Sequence, residues 1–83
     1  MYYVYLLKMK PKGGKEYYIG YSSDLRKRVL EHKRGEVRTT KDRSLELIYY
    51  EAFADKYLAL RREKAIKSSG SVYMALMKRL ELK

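Results

Sequence analysis

The sequence has no Cys and no Trp, and it carries one Pro and one His among 83 residues. The absence of Cys excludes a disulfide scaffold and a Cys-based zinc site, and it leaves the redox compartment open. No apolar run approaches the ~20 residues that span a bilayer, and the N-terminus shows no apolar segment of the signal-peptide kind. We therefore expect a cytoplasmic protein with a single domain over residues 1–83, because a chain of this length has room for one core.

Positive charge and tyrosine are what the sequence has in excess. Lys and Arg number 20 against 10 Asp and Glu, which makes the formal charge +10 and the isoelectric point about 9.8. A surplus of this size indicates a polyanionic partner. Ten Tyr stand against one Phe, although a buried tyrosine must find a hydrogen-bond partner for its hydroxyl. Either many of these rings lie at the surface, or some hydroxyls have a chemical task.

The local signals predict six elements in the order β-β-α-β-α-α. They are strands over 2–7, 17–21 and 45–53, and helices that begin near residues 24, 55 and 71. The turn-forming segment 10–15 joins the first two strands as a hairpin, and 36–43 is a polar connection. Three strands with interleaved helices predict an α+β fold, a small and mostly antiparallel sheet covered by helices. Whether the last strand lies at an edge or in the middle stays open.

Three titratable side chains fall where apolar ones would pack. Arg28 and His32 lie four apart on the first predicted helix and border its apolar stripe. Glu63 lies within the apolar stripe of the second helix, where an ionised carboxylate is costly unless it is paired. The ordinary interpretation is a snorkelling arginine, a half-buried histidine and an i,i+4 ion pair between Glu63 and Lys67. The functional one is a polar cleft in which Glu63 holds a metal or faces a charge.

Strand alternation predicts which tyrosines face the proposed polar cleft. It puts Tyr3 and Tyr5 on one face of the first strand, and Tyr18 and Gly20 on one face of the second. A glycine within a strand often marks the close approach of another group. For most of the ten tyrosines ordinary strand packing is the simpler interpretation. A sheet face with tyrosine hydroxyls beside an Arg/His helix and one carboxylate nevertheless makes a plausible polar cleft.

The same residues, in this order and at these spacings, resemble the GIY-YIG nuclease superfamily. The matching elements are Tyr3-Val4-Tyr5, Tyr18-Ile19-Gly20, Arg28 eight residues past Gly20, His32 four further on, and Glu63 in the run 59–67. The resemblance covers nearly the whole chain and is closest to small stand-alone members. The first motif departs from Gly-Ile-Tyr, and the Asn that follows the glutamate in many relatives is missing, since this chain has no Asn.

The resemblance implies a metal-dependent endonuclease that hydrolyses phosphodiester bonds of nucleic acid. It assigns catalytic roles to Tyr5, Tyr18, Arg28, His32 and Glu63. One tyrosine would activate the attacking water, Arg28 would bind the scissile phosphate, His32 would assist proton transfer, and Glu63 would hold the metal. We expect one Mg²⁺ or Mn²⁺ per site, because a single carboxylate can hold such an ion together with waters and substrate phosphate.

The identity of the base is the open part of this chemistry. An unperturbed tyrosine has a pKa near 10, so almost none is phenolate at neutral pH. We expect Tyr5 to be the base, with its pKa lowered by Arg28 or by the metal. The alternative is that Tyr18 orients the water and His32 moves the proton.

The basic residues are expected to bind phosphate backbones through counterion release, without reading sequence. The predicted nucleic-acid contacts are Lys8, Lys15, Arg26, Lys27, Arg38, Lys41 and Lys67. We expect structure-directed or relaxed specificity, DNA rather than RNA as substrate, a role in DNA repair or recombination, and association with the nucleoid. Targeting domains of larger relatives have no counterpart in these 83 residues, so a protein partner would supply specificity. The alternative function is a non-catalytic nucleic-acid-binding accessory module; no membrane partner is expected.

Overall fold

The computed structural model describes residues 1–10, 16–41 and 43–82. The elements of these residues are β1 (Tyr2–Met9), β2 (Tyr17–Ser22), α1 (Leu25–Lys33), a 3₁₀ turn (Arg38–Thr40), β3 (Leu45–Phe53), α2 (Lys56–Ser68) and α3 (Gly70–Arg79). The predicted α+β class and the order β-β-α-β-α-α are confirmed. The predicted hairpin turn falls largely on 11–15, outside the described residues, and Lys15 lies there too.

The sheet is antiparallel throughout, with the strand order β2-β1-β3. β1 is central because both of its faces are apolar: Leu6 and Leu7 point to opposite faces and are both buried. β3 pairs only with β1 in this sheet, so it lies at an edge, which the sequence had left open. None of the helices in the described ranges is long and apolar enough to cross a membrane.

The two faces of the sheet carry different layers. Val4, Leu6 and Ile19 face α2 and α3 and form the main core; its remaining buried members are Ala59, Ile66, Leu76 and Met77. On the opposite face β1 presents Tyr5, Leu7 and Met9, and α1 with the 3₁₀ turn lies over that side. The candidate site residues of β1 and β2 belong to this second face.

Side-chain caps start each α-helix and fix the bounds. Asp24 accepts a hydrogen bond from the backbone N–H of Lys27 at the start of α1, and Asp55 caps α2 in the same way. Both helices begin where the sequence predicts, near residues 24 and 55. The last helix begins at Gly70 rather than at Ser71, because the hydroxyl of Ser69 accepts from the backbone of Val72 and thereby caps it.

The described part of the predicted connection, residues 36–41 and 43, is more structured than its polar sequence predicts. Its 3₁₀ turn buries Val37 and Thr40, the latter with 0% of its surface exposed. A single 3₁₀ turn is too short to produce a periodic apolar pattern, and a buried threonine is indistinguishable in sequence from a surface one. The turn covers the sheet face that carries Tyr5, so it takes part in the site.

Candidate active site

Tyr5 and Tyr18 meet on the α1 side of the sheet because of the β1–β2 register. Tyr5 is paired with Gly20 and Leu7 with Tyr18, so the two tyrosines are diagonal neighbours on one face. Their ring centroids are 6.2 Å apart. The ring of Tyr5 lies over Gly20, where a Cβ would stand 2.8 Å from Cε1 and closer still to Cζ and Oη. Because Gly20 has no side chain, the Tyr5 ring can occupy the space above it.

His32 reaches this pair from the last turn of α1. Its Nε2 lies 2.8 Å from the hydroxyl of Tyr5, and its ring stands edge-on to Tyr18 with the centroids 4.9 Å apart. Only 1% of His32 is exposed. The ordinary interpretation of a half-buried histidine is wrong, since the imidazole is enclosed between two strands and the 3₁₀ turn.

Thr40 is the residue that sequence reasoning missed. Its hydroxyl lies 2.8 Å from Nδ1 of His32, on the side of the ring opposite Tyr5, and 3.4 Å from the backbone carbonyl of Val37. Both ring nitrogens of His32 are thus hydrogen-bonded to buried hydroxyl groups. No spacing in the sequence marks Thr40, because its partner is eight residues away across a turn that the sequence does not predict.

Arg28 stands one helical turn before His32, at the opening of the site. Its Nη1 donates to Oε1 of Glu31 over 3.1 Å, and 38% of its side chain is exposed. Its pKa is raised, first by hydrogen bonding to Tyr5 and second by hydrogen bonding to Glu31. The guanidinium therefore lies between the buried Tyr5 and solvent. A phosphate from solvent could reach it there.

Burial sets the pKa of Tyr5. It raises the pKa from 10.0 to about 12; the interaction with Arg28 acts in the opposite direction, and the charges of Tyr18 and Glu63 add to the rise. The expectation that Arg28 lowers the pKa of Tyr5 below its ordinary value is wrong, because burial of the phenolate raises the pKa by more than the guanidinium lowers it. The expected effect of a metal on this pKa stays a prediction. Tyr5 is a protonated phenol at neutral pH.

The pKa of His32 moves the other way. Burial lowers it from 6.5 to about 4, the positive charge of Arg28 lowers it further, and Glu31 counteracts both. The imidazole is therefore neutral at neutral pH and carries one proton on one of its two nitrogens. A neutral imidazole next to a protonated phenol is a proton acceptor placed beside a donor.

Glu63 lies at the margin of the cluster, on α2. Its Oε2 is 3.1 Å from Nζ of Lys67, so the i,i+4 ion pair of the ordinary interpretation is present. The side chain of Glu63 is 20% exposed, and its charge is close enough to raise the pKa of Tyr5. Nζ of Lys67 lies 6.0 Å from the ring centroid of Tyr18. The carboxylate and its partner thus border the two tyrosines.

The chain is similar to proteins of a known family. The family model of the GIY-YIG catalytic domain matches residues 1–79. The chain belongs to the GIY-YIG family. The UPF0213 protein SSP2268 of Staphylococcus saprophyticus is 38% identical over 69 residues, which cover 81% of this chain and 80% of that protein. The UPF0213 protein HQ_3675A of Haloquadratum walsbyi is 36% identical over 69 residues, 81% of this chain and 74% of its own. No solved structure matches significantly.

GIY-YIG nucleases are generally metal-dependent, and a bound metal needs side-chain donors at the site. Across 1–10, 16–41 and 43–82 no three His, Asp or Glu side chains form a group that could hold an ion between them. A site built on several carboxylates does not fit. Glu63 alone fits an Mg²⁺-like ion, which accepts hard oxygen ligands and keeps several waters.

The helix that carries Glu63, the predicted metal ligand, is tied to the sheet by an ion pair. Nε and Nη2 of Arg62 both donate over 2.9 Å to the carboxylate of Glu51 on β3, one to each oxygen. The hydroxyl of Tyr49 also donates to this carboxylate, over 2.6 Å. Because Arg62 precedes Glu63 on α2, this part-buried fork sets the position of the helix at the site.

The predicted nucleic-acid contacts that the structure describes are all exposed: Lys8, Arg26, Lys27, Arg38, Lys41 and Lys67. Arg26 and Lys27 lie on the first turn of α1. Arg38 begins the 3₁₀ turn and Lys41 follows it. Lys67 adjoins Tyr18.

A groove adjoins the site on the β2 side. It has a volume of about 640 Å³ and reaches from Tyr18 to the junction of α2 and α3. Tyr17, Lys67, Ser69 and Tyr73 contribute to its walls. Its charged members are Lys67 and Glu16, so its main feature is aromatic surface, on which the bases of a single strand can stack.

Proposed function

We propose that this GIY-YIG protein is a metal-dependent endonuclease that hydrolyses phosphodiester bonds of DNA. The observation that carries the proposal is the convergence of Tyr5, Tyr18, Arg28 and His32 in one partly buried cluster, with Glu63 at its margin. Packing alone would not select a buried phenol, a buried imidazole and a guanidinium for adjacent positions, since each needs a polar partner.

Arg28 is proposed to bind the scissile phosphate. Its guanidinium has only donors, carries a permanent charge and is partly open to solvent. A phosphate would compete with Glu31 for these donors. Because only 1% of Tyr5 is exposed, the proposal requires Arg28 to move toward the phosphate and uncover Tyr5. Negative charge that develops on the phosphoryl oxygens would then face a preorganised cation.

Proton transfer is proposed to run from the attacking water to Tyr5 and from Tyr5 to His32. The water oxygen forms the new bond to phosphorus and its proton passes to the Tyr5 oxygen, while the phenol proton passes to Nε2 over 2.8 Å. The bond from phosphorus to the leaving sugar oxygen breaks, and that oxygen takes a proton from solvent. This concerted route avoids a free phenolate, which the raised pKa of Tyr5 makes unfavourable. Tyr18, half-buried at the opening, would orient the water.

Glu63 is the residue that would hold the metal. Bound Mg²⁺ or Mn²⁺ supplies charge neutralisation at the phosphate and at the leaving oxygen. Lys67 is now the cation paired with Glu63. It is 50% exposed along its side chain and is free to turn toward substrate phosphate instead.

The charge distribution supports nucleic acid bound without sequence readout. The net charge of +10 and the exposed Lys and Arg side chains favour phosphate contacts, which position a strand but do not read its bases. We propose cleavage directed by DNA structure or of relaxed specificity, with a role in repair or recombination and a location in the cytoplasm at the nucleoid. A protein partner would supply further selection.

A cleavage assay with matched glutamate variants tests the proposal. Wild type, Glu63→Gln and Glu46→Gln are incubated with Mg²⁺ or Mn²⁺ and with linear, flapped and branched DNAs and their RNA counterparts. Glu46 is an exposed glutamate of β3 and serves as the control. We expect metal-dependent nicking of DNA by wild type and Glu46→Gln. Glu63→Gln should bind the same DNA with at least a hundredfold less nicking.

Other outcomes would overturn the proposal. Equal nicking by Glu63→Gln would mean that the activity comes from elsewhere. DNA binding without nicking by any of the three proteins, across all substrates and both metals, would favour the accessory binding module instead.

A further inference from the structure

His32 is enclosed by hydroxyl groups on both ring nitrogens. Tyr5 bonds Nε2 and Thr40 bonds Nδ1, each over 2.8 Å. His32 and Thr40 are 1% and 0% exposed, so protein groups rather than bulk water determine which nitrogen carries the proton. A neutral imidazole can donate from one nitrogen only and must accept at the other.

The surroundings of Thr40 indicate the direction of the bond at Nδ1. The Thr40 hydroxyl has a single proton, and the carbonyl of Val37, at 3.4 Å, can only accept. When Thr40 donates to Val37, its oxygen is left to accept from His32. This arrangement uses every polar atom, and it requires the proton of the imidazole to be on Nδ1.

The surroundings of Tyr5 give the same direction at the other end. Arg28 lies close enough to Tyr5 to act on its pKa, and a guanidinium can offer the Tyr5 oxygen donors only. The phenol proton is then free to point at Nε2, which must be the unprotonated nitrogen. Donor and acceptor roles therefore agree from Tyr5 through His32 and Thr40 to Val37.

We propose that Thr40 is a positioning residue that holds His32 in the Nδ1–H tautomer and so keeps Nε2 ready to receive the proton of Tyr5. The inference rests on the proposed nuclease function and adds a residue to it. Without the Thr40 hydroxyl, a proton on Nδ1 would be buried with no acceptor, and the Nε2–H tautomer would be favoured. That tautomer points a proton at Tyr5 and cannot accept one.

The single histidine makes the tautomer directly measurable. In protein labelled with ¹⁵N, long-range proton–nitrogen NMR correlations at neutral pH identify the protonated ring nitrogen of His32. We expect Nδ1–H in wild type and a shift toward Nε2–H in Thr40→Val, which keeps the shape of the side chain. Thr40→Ser should restore Nδ1–H. Thr39→Val, a change at the exposed neighbouring threonine, should leave the tautomer as in wild type.

Kinetics provide the second readout. With a DNA substrate that wild type cleaves, Thr40→Val should lower kcat at least tenfold with KM within twofold, and Thr40→Ser should recover most of kcat. A merely structural role would lower the active fraction without changing the tautomer of the folded protein. An Nε2–H tautomer in wild type would overturn the inference even if Thr40→Val did not fold.

The two proposals fail separately. If wild type cleaves no nucleic acid, the nuclease function fails, and the tautomer measurement still decides whether Thr40 positions His32. If wild type cleaves DNA while Thr40→Val keeps the Nδ1–H tautomer and full kcat, the role of Thr40 is refuted and the nuclease function stands.

Discussion

The ring of Tyr5 occupies the volume that a side chain at Gly20 would fill. A Cβ at position 20 would overlap the Cζ and Oη atoms of Tyr5, which is itself almost wholly buried. The conformation of Gly20 is not in the left-handed region, so its lack of a side chain rather than its backbone freedom is what the fold uses. Gly20 of the Tyr18-Ile19-Gly20 motif therefore leaves room for the ring of Tyr5, the last residue of the Tyr3-Val4-Tyr5 motif.

The close contact between Gly20 and the Tyr5 ring predicts the effect of Gly20→Ala. The added methyl group must displace a ring that His32 holds on its far side, so we expect a loss of about 1–3 kcal/mol in the free energy of unfolding. We also expect DNA cleavage to fall, because the Tyr5 hydroxyl moves away from Nε2. Urea unfolding and a nicking assay measure the two effects.

Gly70→Ala is the matched control. A Cβ at Gly70 meets nothing within 4 Å, and Gly70 begins α3, where alanine is the better helix former. We expect no loss of stability and a gain of up to about 1 kcal/mol. Similar effects of the two substitutions would contradict the steric argument.

Tyr5→Phe removes only the hydroxyl that binds Nε2 of His32. A buried nitrogen left without its partner should cost about 1–3 kcal/mol of stability, although the aromatic ring remains. Cleavage should fall much further than stability, because the proposed proton route loses its first acceptor. The comparison is Tyr57→Phe, at a tyrosine that is 73% exposed, which should change neither quantity. Full activity of Tyr5→Phe would assign water activation to another group.

The protonation of His32 makes a prediction about pH. Its folded pKa of about 4 lies below the ordinary 6.5, so between these values the unfolded chain binds the extra proton and the folded protein does not. The contribution of His32 to the free energy of unfolding is therefore fully present above pH 6.5, and it is lost as the pH falls toward 4. One unit of pKa corresponds to about 1.4 kcal/mol, so the loss is a few kcal/mol.

The imidazole signals of the single histidine provide the measurement. NMR titration should show no protonation of His32 in the folded protein above about pH 5, with the midpoint near 4. The pH dependence of unfolding between 6.5 and 4 should be weaker in His32→Gln, which does not titrate. A midpoint near 6.5 would mean that the ring is not enclosed as described.

The fork between Glu51 and Arg62 makes a second prediction about pH. Burial by itself raises the pKa of Glu51, but hydrogen bonds from Arg62 and Tyr49 outweigh it, and the net pKa lies below the ordinary 4.5. We expect Glu51→Gln to lower the free energy of unfolding by about 1–2 kcal/mol at pH 7. A lowered folded pKa stabilises above pH 4.5, so the difference from wild type should shrink as the pH falls below it.

Glu31→Gln is the comparison for this fork, because Glu31 pairs with Arg28 on the more exposed surface of α1. A surface pair three residues apart on a helix should contribute about 0.3–0.5 kcal/mol at most. Urea unfolding of both variants at pH 7 and pH 3 gives the required values. Equal losses at the two pH values for Glu51→Gln would show that the carboxylate acts through packing rather than charge.

The order of elements and the residues of the two motifs could be predicted from local sequence. The starts of the helices at Asp24 and Asp55 and the strand pattern of 45–53 each depend on a few neighbouring residues. The spacing from Gly20 through Arg28 to His32 is likewise local, because it is set by one helix that follows one strand. Fold class and family membership follow from such short-range signals.

The state of the candidate site was decided by the tertiary structure alone. The sequence led to the expectation of a lowered pKa for Tyr5 and a half-buried His32, and it contained no sign of Thr40. All three depend on β1, α1 and the 3₁₀ turn closing around one imidazole. The pKa values of Tyr5 and His32 and the direction of their hydrogen bonds depend on how far each group is removed from water and on which groups it contacts. Those quantities exist only once distant segments are packed together.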